Sequence, residues 1–261
     1  MSGSERVTAA RDGDVVTVTL SHPGKLNVLD MAAWELLGEI FEELSADDSV
    51  RCVLVKGEGG RAFSTGSDIG AFGAQRSTPG QVIRYAAALR RGIGGVYDCP
   101  HPTVAVVQGL CVGGGLIIAA CCDVRVCGES SRFGAPVNRL GATMAYEEMA
   151  PLLAATGAGA VLEILLTGDL VDARRAREMG IVNRIVPDDE VAETGAAVAR
   201  NIARGAPLVN RWHKKFIRRA ADPRPIREEE REEAYEAFQT RDYREGTAAF
   251  MEKRPPRFEG E

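Results

Sequence analysis

Two short glycine-bearing runs hold the residue types from which this chain's chemistry can be built. The first, Gly66-Ser67-Asp68, sits in a loop of small residues beyond a strand, and the second is Gly113-Gly114-Gly115. The second run stands between the apolar stretch Thr103–Val107 and the wholly apolar Leu116–Cys122, an order that reads strand, tight turn, buried helix. Glycines at a helix opening leave the first backbone N–H groups bare and let a ligand come close. With the helix dipole behind them, those groups suit an anion, or a carbonyl oxygen that becomes one. If both loops end on one edge of an open sheet, two N–H groups converge on one oxygen, as an oxyanion hole requires. Close packing of the helix against a neighbour is the plainer use of the same glycines. A phosphate loop is disfavoured, because neither G-x-x-x-x-G-K-[ST] nor a properly placed G-x-G-x-x-G occurs.

The elements around these loops follow from periodicity. Val15–Leu20 and Val50–Lys56 read as strands, as do Asp123–Cys127 and a short run near Arg132–Gly134. Asp30 is placed to cap a helix reaching Leu44, and Ser77-Thr78-Pro79 opens one reaching Tyr97. Beyond Gly134 helical patterns dominate: Glu147–Ala155, Ala158–Leu166, Ala173–Met179 with Asp172 as cap, Asp189–Ala203, Pro207–Ala221, Arg227–Thr240 and Asp242–Glu252. Strands with crossover helices, then helices, predict an α/β core with a helical C-terminal part. No internal repeat is visible in the sequence.

Composition narrows the function classes. The 261 residues suffice for a large core, and 45% hydrophobic with 26% charged residues is ordinary for a globular chain. A net charge of −5 argues against nucleic-acid binding. The six cysteines lie mostly in apolar runs with no C-x-x-C, and the three histidines are far apart in sequence, so buried free thiols are expected rather than zinc or disulfides. The first residues show no apolar signal-peptide core and no run is long enough to span a bilayer, which predicts a cytoplasmic, membrane-free protein.

Five stretches taken together resemble the crotonase family, the enoyl-CoA hydratase/isomerase superfamily: P-G-K-L-N-V-L-D (23–30), G-E-G-G-R-A-F-S-T-G-S-D-I (57–69), H-P-T-V-A-V-V-Q-G-L-C-V-G-G-G-L (101–116), L-L-T-G-D-L-V-D-A-R-R-A-R-E-M-G-I-V-N-R-I-V-P (165–187) and E-G-T-A-A-F-M-E-K-R-P-P-R-F (245–258). The resemblance runs from about Asp14 to Phe258. It implies a ββα-spiral core over residues 1–200 and a C-terminal helical trimerisation region over 201–261, giving a homotrimer or a dimer of trimers. It implies an acyl-CoA thioester substrate, with coenzyme A entering as part of that substrate and no separate cofactor or metal. By motif position the thioester oxygen is held by the N–H groups of Ser67 and Gly114. Lys25, Ala62, Gly66, Asp68, Ile69, Gly113, Ile117, Val137 and Asn138 are the implied substrate-binding positions.

The departures from the family pattern concern the acid. Hydratases resembling this chain carry a glutamate where it has Ile117, and a second where it has Val137. Neither aliphatic side chain moves a proton, and together they predict an apolar pocket floor. In the next loop, Ala145-Tyr146-Glu147-Glu148 replaces the glycines of related hydratases, so Tyr146 and Glu147 are the leading acid/base candidates, with Glu148 next and Asn138 and Arg139 as polar neighbours. The helix dipole alone would favour acids there. Asp68 and Asp123 read as structural, His101 as a surface residue, and His22 as a CoA contact. On the basic stretch Arg211–Arg219, Trp212, Phe216 and Ile217 are expected to face inward and the cations outward. The expected activity is hydration or isomerisation of an enoyl-CoA by a single acid. A malonyl-type decarboxylase, which makes its enolate by losing CO₂, a thioester hydrolase, and a non-catalytic CoA-binding subunit are the alternatives.

Overall fold

The computed structural model describes residues 6–261; the sequence reading of the first five residues lies outside them. The chain runs β1 (Val7–Asp12), β2 (Val15–Leu20), α1 (Met31–Ser45), β3 (Cys52–Gly57), β4 (Ala62–Ser64), α2 (Phe72–Gln75), α3 (Pro79–Asp98), β5 (Thr103–Val107), β6 (Leu110–Val112), α4 (Gly114–Cys121), β7 (Val124–Gly128), β8 (Arg132–Gly134), α5 (Tyr146–Thr156) and α6 (Ala158–Thr167). It continues through β9 (Val171–Asp172), α7 (Ala173–Glu178), β10 (Arg184–Val186), α8 (Val191–Ala203), α9 (Pro207–Ala221), α10 (Glu228–Glu233) and α11 (Arg241–Glu252).

The strands form two sheets, in the orders β1-β2-β3-β5-β7-β10 and β4-β6-β8-β9. Each of β3, β5 and β7 in the first sheet is followed by β4, β6 or β8 in the second, and then by a helix. The result is three successive ββα turns of a spiral, in agreement with the expected core. The repeat is architectural: the three units share an order of elements without sharing residues. The β-branched runs of β2, β3 and β5 pair in parallel, as buried strands do. The antiparallel edge strand β1 (V-T-A-A-R-D) is not read from the sequence, because it has too few β-branched residues to stand out.

The capped helices begin where local chemistry places them. Asp30 Oδ1 accepts the Ala33 N–H at 2.9 Å, and Asp172 Oδ1 accepts that of Arg175 at 2.8 Å. Thr78 and Gln81 form a reciprocal capping box before Pro79. The expected helix Arg227–Thr240 instead breaks into α10 and a 3₁₀ turn, Glu236–Gln239.

Helix α9 corrects a sequence expectation. Arg211, Lys214 and Arg218, spaced 3 and 4 residues apart, face the core, and Ile217 is 71% exposed. Lys214 Nζ lies 2.7 Å from Asp123 Oδ2 and donates to the His101 carbonyl at 2.8 Å, and Arg211 pairs with Asp48 at 2.6 Å. Asp123 also accepts the Thr103 N–H and hydroxyl at 2.7 and 2.9 Å, so its structural reading agrees with the geometry. His101, expected at the surface, is fully buried, with Nε2 2.9 Å from the Leu44 carbonyl oxygen. Burial and the nearby Arg211 hold its pKa below the ordinary histidine value.

Candidate active site

The two glycine-bearing loops meet. Gly66 has φ +83°, and a Cβ there would lie 2.5 Å from the Gly114 nitrogen. Only a residue without a side chain allows that backbone conformation and that approach. Behind it, a Cβ on Gly115 would lie 2.2 Å from the Ser64 carbonyl oxygen, so α4 begins pressed onto the end of β4.

Hydrogen bonds then fix the direction of the backbone. The Leu29 N–H donates to the Gly66 carbonyl and the Leu29 carbonyl accepts from Asp68 N–H, both at 2.8 Å. Leu29 therefore brackets Ser67 in a parallel bridge that uses the flanking groups and leaves the Ser67 N–H unused. Ser64 Oγ accepts the Gly66 N–H at 3.0 Å and donates to the Asn27 carbonyl at 2.7 Å. Gly113 N–H donates to the Gly134 carbonyl at 2.9 Å. Gly114, the first residue of α4, has no preceding turn to bond to. Neither the Ser67 nor the Gly114 N–H has an acceptor among the described residues.

Both groups open into a cavity of about 510 Å³. Its walls are the segment from Ile69 to Arg76, one face of α3, and the stretch from Pro136 to Glu148. Phe72, Val82, Leu89, Val112, Val137 and Met144 make the lining largely apolar.

Charge enters this cavity at five side chains. Arg90 Nε pairs with Glu147 Oε1 at 3.1 Å, and Arg139 with Asp169 at 2.7 Å. Glu148 is half-buried, and its Oε2 accepts the Ala145 N–H at 2.7 Å. Burial raises the Glu148 pKa above the ordinary carboxyl value; the Ala145 bond and the Arg76 charge offset part of that shift. Arg76 lies with its guanidinium carbon 4.1 Å from the Phe72 ring centroid and 3.7 Å from that of Tyr85.

The expected site residues divide accordingly. Ser67, Ile69, Gly113, Gly114, Val137 and Glu147 line the cavity, with Gly66 making the contact beneath it. Lys25 and Asp68 pair with each other at 3.0 Å at the loop's outer side, which lowers the Asp68 pKa, and Asp68 Oδ1 also accepts the Gly70 N–H at 3.0 Å. Ala62 is buried, its carbonyl accepting from Asn27 Nδ2 at 2.8 Å. Three expectations need correction. Tyr146 is 86% exposed and is not in the cavity wall, because the first turn of α5 carries it outward. Ile117 is fully buried in the core around α4 rather than in the pocket floor, so of the two aliphatic residues only Val137 lines the cavity, in its wall. Asn138 turns away, its Nδ2 donating to the Leu166 carbonyl at 2.9 Å.

Arg76, Arg90 and Tyr85, with Thr65 and Thr143, are charged and polar lining residues that the sequence reading did not single out. Arg76 directly follows the short helix α2, and only folding shows which side chains of that segment turn toward the cavity. The cysteines are all buried and free; burial pushes the thiols of Cys52, Cys122 and Cys127 up to about 12, so none of these three is a thiolate nucleophile at neutral pH. Among the described residues, no helix is long and apolar enough to cross a membrane.

Comparison with known proteins converges on one group. The profile of the enoyl-CoA hydratase/isomerase family matches residues 10–261. A crystal structure described as an enoyl-CoA hydratase/carnithine racemase from Magnetospirillum magneticum is 43% identical, with TM-score 0.96 over 99% of this chain and 97% of that one. A carnitinyl-CoA dehydratase of Salmonella typhi is 30% identical over 98% of this chain and 99% of its own length. The short-chain-enoyl-CoA hydratase of Clostridium acetobutylicum is 28% identical over 95% of each.

Proposed function

Since the chain belongs to the enoyl-CoA hydratase/isomerase family, we propose that it binds an acyl-CoA thioester with the carbonyl oxygen between the Ser67 and Gly114 N–H groups, and moves a proton at the adjacent carbons through Glu148. The observation that carries this reading is the pair of N–H groups without acceptors, held together by the Gly66–Gly114 contact at the floor of the cavity that Glu148 lines. Preorganised donors favour the enolate oxygen over the ground-state carbonyl, and the positive end of α4 adds to them.

Glu148 suits the proton-transfer step better than its neighbours. It lines the cavity, is half-buried and stands free of any ion pair among the described residues, whereas Glu147 is paired with Arg90 and Tyr146 faces solvent. Burial raises its pKa above the ordinary carboxyl value, which makes its conjugate base a stronger proton acceptor and suits a group that takes and returns a proton. As carboxylate it removes a proton next to the thioester, the enolate charge is held by the two N–H groups, and the same proton returns to a different carbon. That sequence is a double-bond shift, and hydration by the same carboxyl through one water is its close relative.

Decarboxylation is a second reading, favoured by the aliphatic Val137 in the cavity wall, because loss of CO₂ makes the enolate with no base. Incubation with crotonyl-CoA, a 3-enoyl-CoA and methylmalonyl-CoA, followed by mass spectrometry, separates the three outcomes. Conversion of an enoyl substrate that is lost in Glu148→Gln supports the proposal; release of CO₂ unaffected by Glu148→Gln supports decarboxylation. Binding without conversion across the panel rejects both in favour of a CoA-binding subunit. We also propose that the exposed apolar residues of the C-terminal helices, such as Phe250 and Met251, pack against further copies of the chain in a trimer; a monomeric mass in sedimentation would contradict this.

A further inference from the structure

Arg76 stands apart from the other cations of the cavity. Arg90 and Arg139 each have a carboxylate partner, whereas no acidic oxygen lies within ion-pair distance of Arg76 and none of its side-chain N–H groups finds an acceptor among the described residues. Its Nε is buried with no partner. The Phe72 and Tyr85 rings take up the guanidinium through their π-faces. A guanidinium directs its N–H bonds in its own plane, so stacking uses none of them: Nε is buried without a partner, and the terminal N–H groups stay available to an acceptor that enters the cavity. A buried donor left this way carries a desolvation cost that a ligand acceptor would remove.

The chemistry of such a fork is narrow. It matches the two oxygens of a carboxylate, which accept a pair of parallel N–H bonds. Glu148, the acid of this wall whose charge Arg76 influences, accepts the Ala145 N–H and forms no ion pair with Arg76. Arg76 shares the cavity with the Ser67 and Gly114 N–H groups and influences Glu148 electrostatically, so it borders the space where the acyl chain would lie under the proposed function. The Lys25–Asp68 pair, on the outer side of the loop, is not in this lining. From the unpartnered fork of Arg76 inside the acyl cavity, we infer that the preferred substrate carries a second carboxylate on its acyl group: a monothioester of a dicarboxylic acid, with that carboxylate bound bidentately by Arg76. This inference rests on the thioester reading above and narrows it.

The test pairs ligands that differ by the carboxylate. Glutaryl-CoA and butyryl-CoA, neither of which carries a double bond to react, are compared by calorimetry, and glutaconyl-CoA and crotonyl-CoA by turnover, in the wild-type protein and in Arg76→Lys and Arg76→Met. The expected result is a preference of about 10- to 100-fold for the carboxylated member, reduced in Arg76→Lys and abolished in Arg76→Met. Equal affinity for glutaryl-CoA and butyryl-CoA in the wild type overturns the inference. So does an Arg76→Met variant that weakens free CoA as much as glutaryl-CoA, because the arginine would then be reading the phosphates of CoA. If glutaryl-CoA is preferred through Arg76 but no thioester is turned over, the inference stands and the proposed reaction fails. Turnover of crotonyl-CoA without any preference leaves the reaction standing and removes the inference. Circular dichroism of both variants identifies a folding loss, and Arg76→Lys serves as the test if Arg76→Met is unfolded.

Discussion

The floor and the wall of the cavity are built on opposite principles. The floor, from Ser64 to Asp68 and from Gly113 to Gly115, offers backbone N–H groups fixed by Leu29, Asn27, Gly134 and the contact between two glycines. The wall, from Ile69 to Arg76 and from Pro136 to Glu148, offers side chains on 3₁₀ turns, a four-residue helix and the first turn of α5. Every residue except proline has a backbone N–H, so these donors need no particular functional group on a side chain, although the close contacts at Gly66, Gly114 and Gly115 leave no room for a Cβ. Together with the face of α3 that lines the cavity, the wall holds one half-buried carboxyl, Arg90 and Arg139 paired with Glu147 and Asp169, and Arg76 with no acceptor among the described residues.

The contrast can be broken by mutation. The largest effect is expected in the wall: Glu148→Gln should lower kcat by about 10²- to 10⁴-fold with little change in melting temperature, whereas Tyr146→Phe should leave kcat within about twofold, as for an exposed side chain. Equal losses from the two would return Tyr146 to the mechanism.

Gly66→Ala should cost about 10²- to 10³-fold in kcat/KM, the loss expected when an oxyanion donor is displaced. Unlike Glu148→Gln it should also lower stability, because the added Cβ meets the Gly114 nitrogen at a positive φ. An active, fully stable Gly66→Ala protein would show that the two loops need not touch.

Further from the cavity, Asp123→Ala should destabilise the fold by about 2 kcal/mol, since it strands the Thr103 donors and Lys214. Urea unfolding measures this, and a change in substrate preference would count against the separation of anchor and site.

The smallest effect is a pH dependence from His101. Its pKa is depressed in the folded chain, so around that range the unfolded chain binds more protons than the folded one. Stability from this group is full above the unfolded value of about 6.5 and falls as pH drops below it. The slope, read from unfolding at pH 7, 6 and 5, should flatten in His101→Gln; an unchanged slope would assign the dependence to other groups.

Local chemistry was the legible part of this molecule. Asp30, Thr78 and Asp172 cap helices from within three residues, and the β-branched runs make strands wherever they are buried, so one pass along the chain locates them. The five motifs likewise placed Ser67 and Gly114 in one site. Strands of two or three residues such as β4, β6, β9 and β10 were beyond such a reading, because their pairing is supplied by distant neighbours rather than by their own composition. So were side-chain directions. Arg211, Lys214 and Arg218 of α9 face inward because Asp48, Asp123 and backbone carbonyls offer partners there, and Ile217, unlike the half-buried Trp212 and Phe216, departs from the pattern that hydrophobicity alone predicts. Among Tyr146, Glu147 and Glu148, the sequence supplied the acids and the start of a helix, but the angle at which α5 meets the cavity turns Tyr146 out and Glu148 in. The sequence by itself determined the family and the two glycine-bearing runs that meet at the floor of the cavity. The tertiary structure decided which carboxyl of the Tyr146–Glu148 run lines the cavity half-buried and that Arg76 stacks on two rings, because both depend on how separate segments pack against one another.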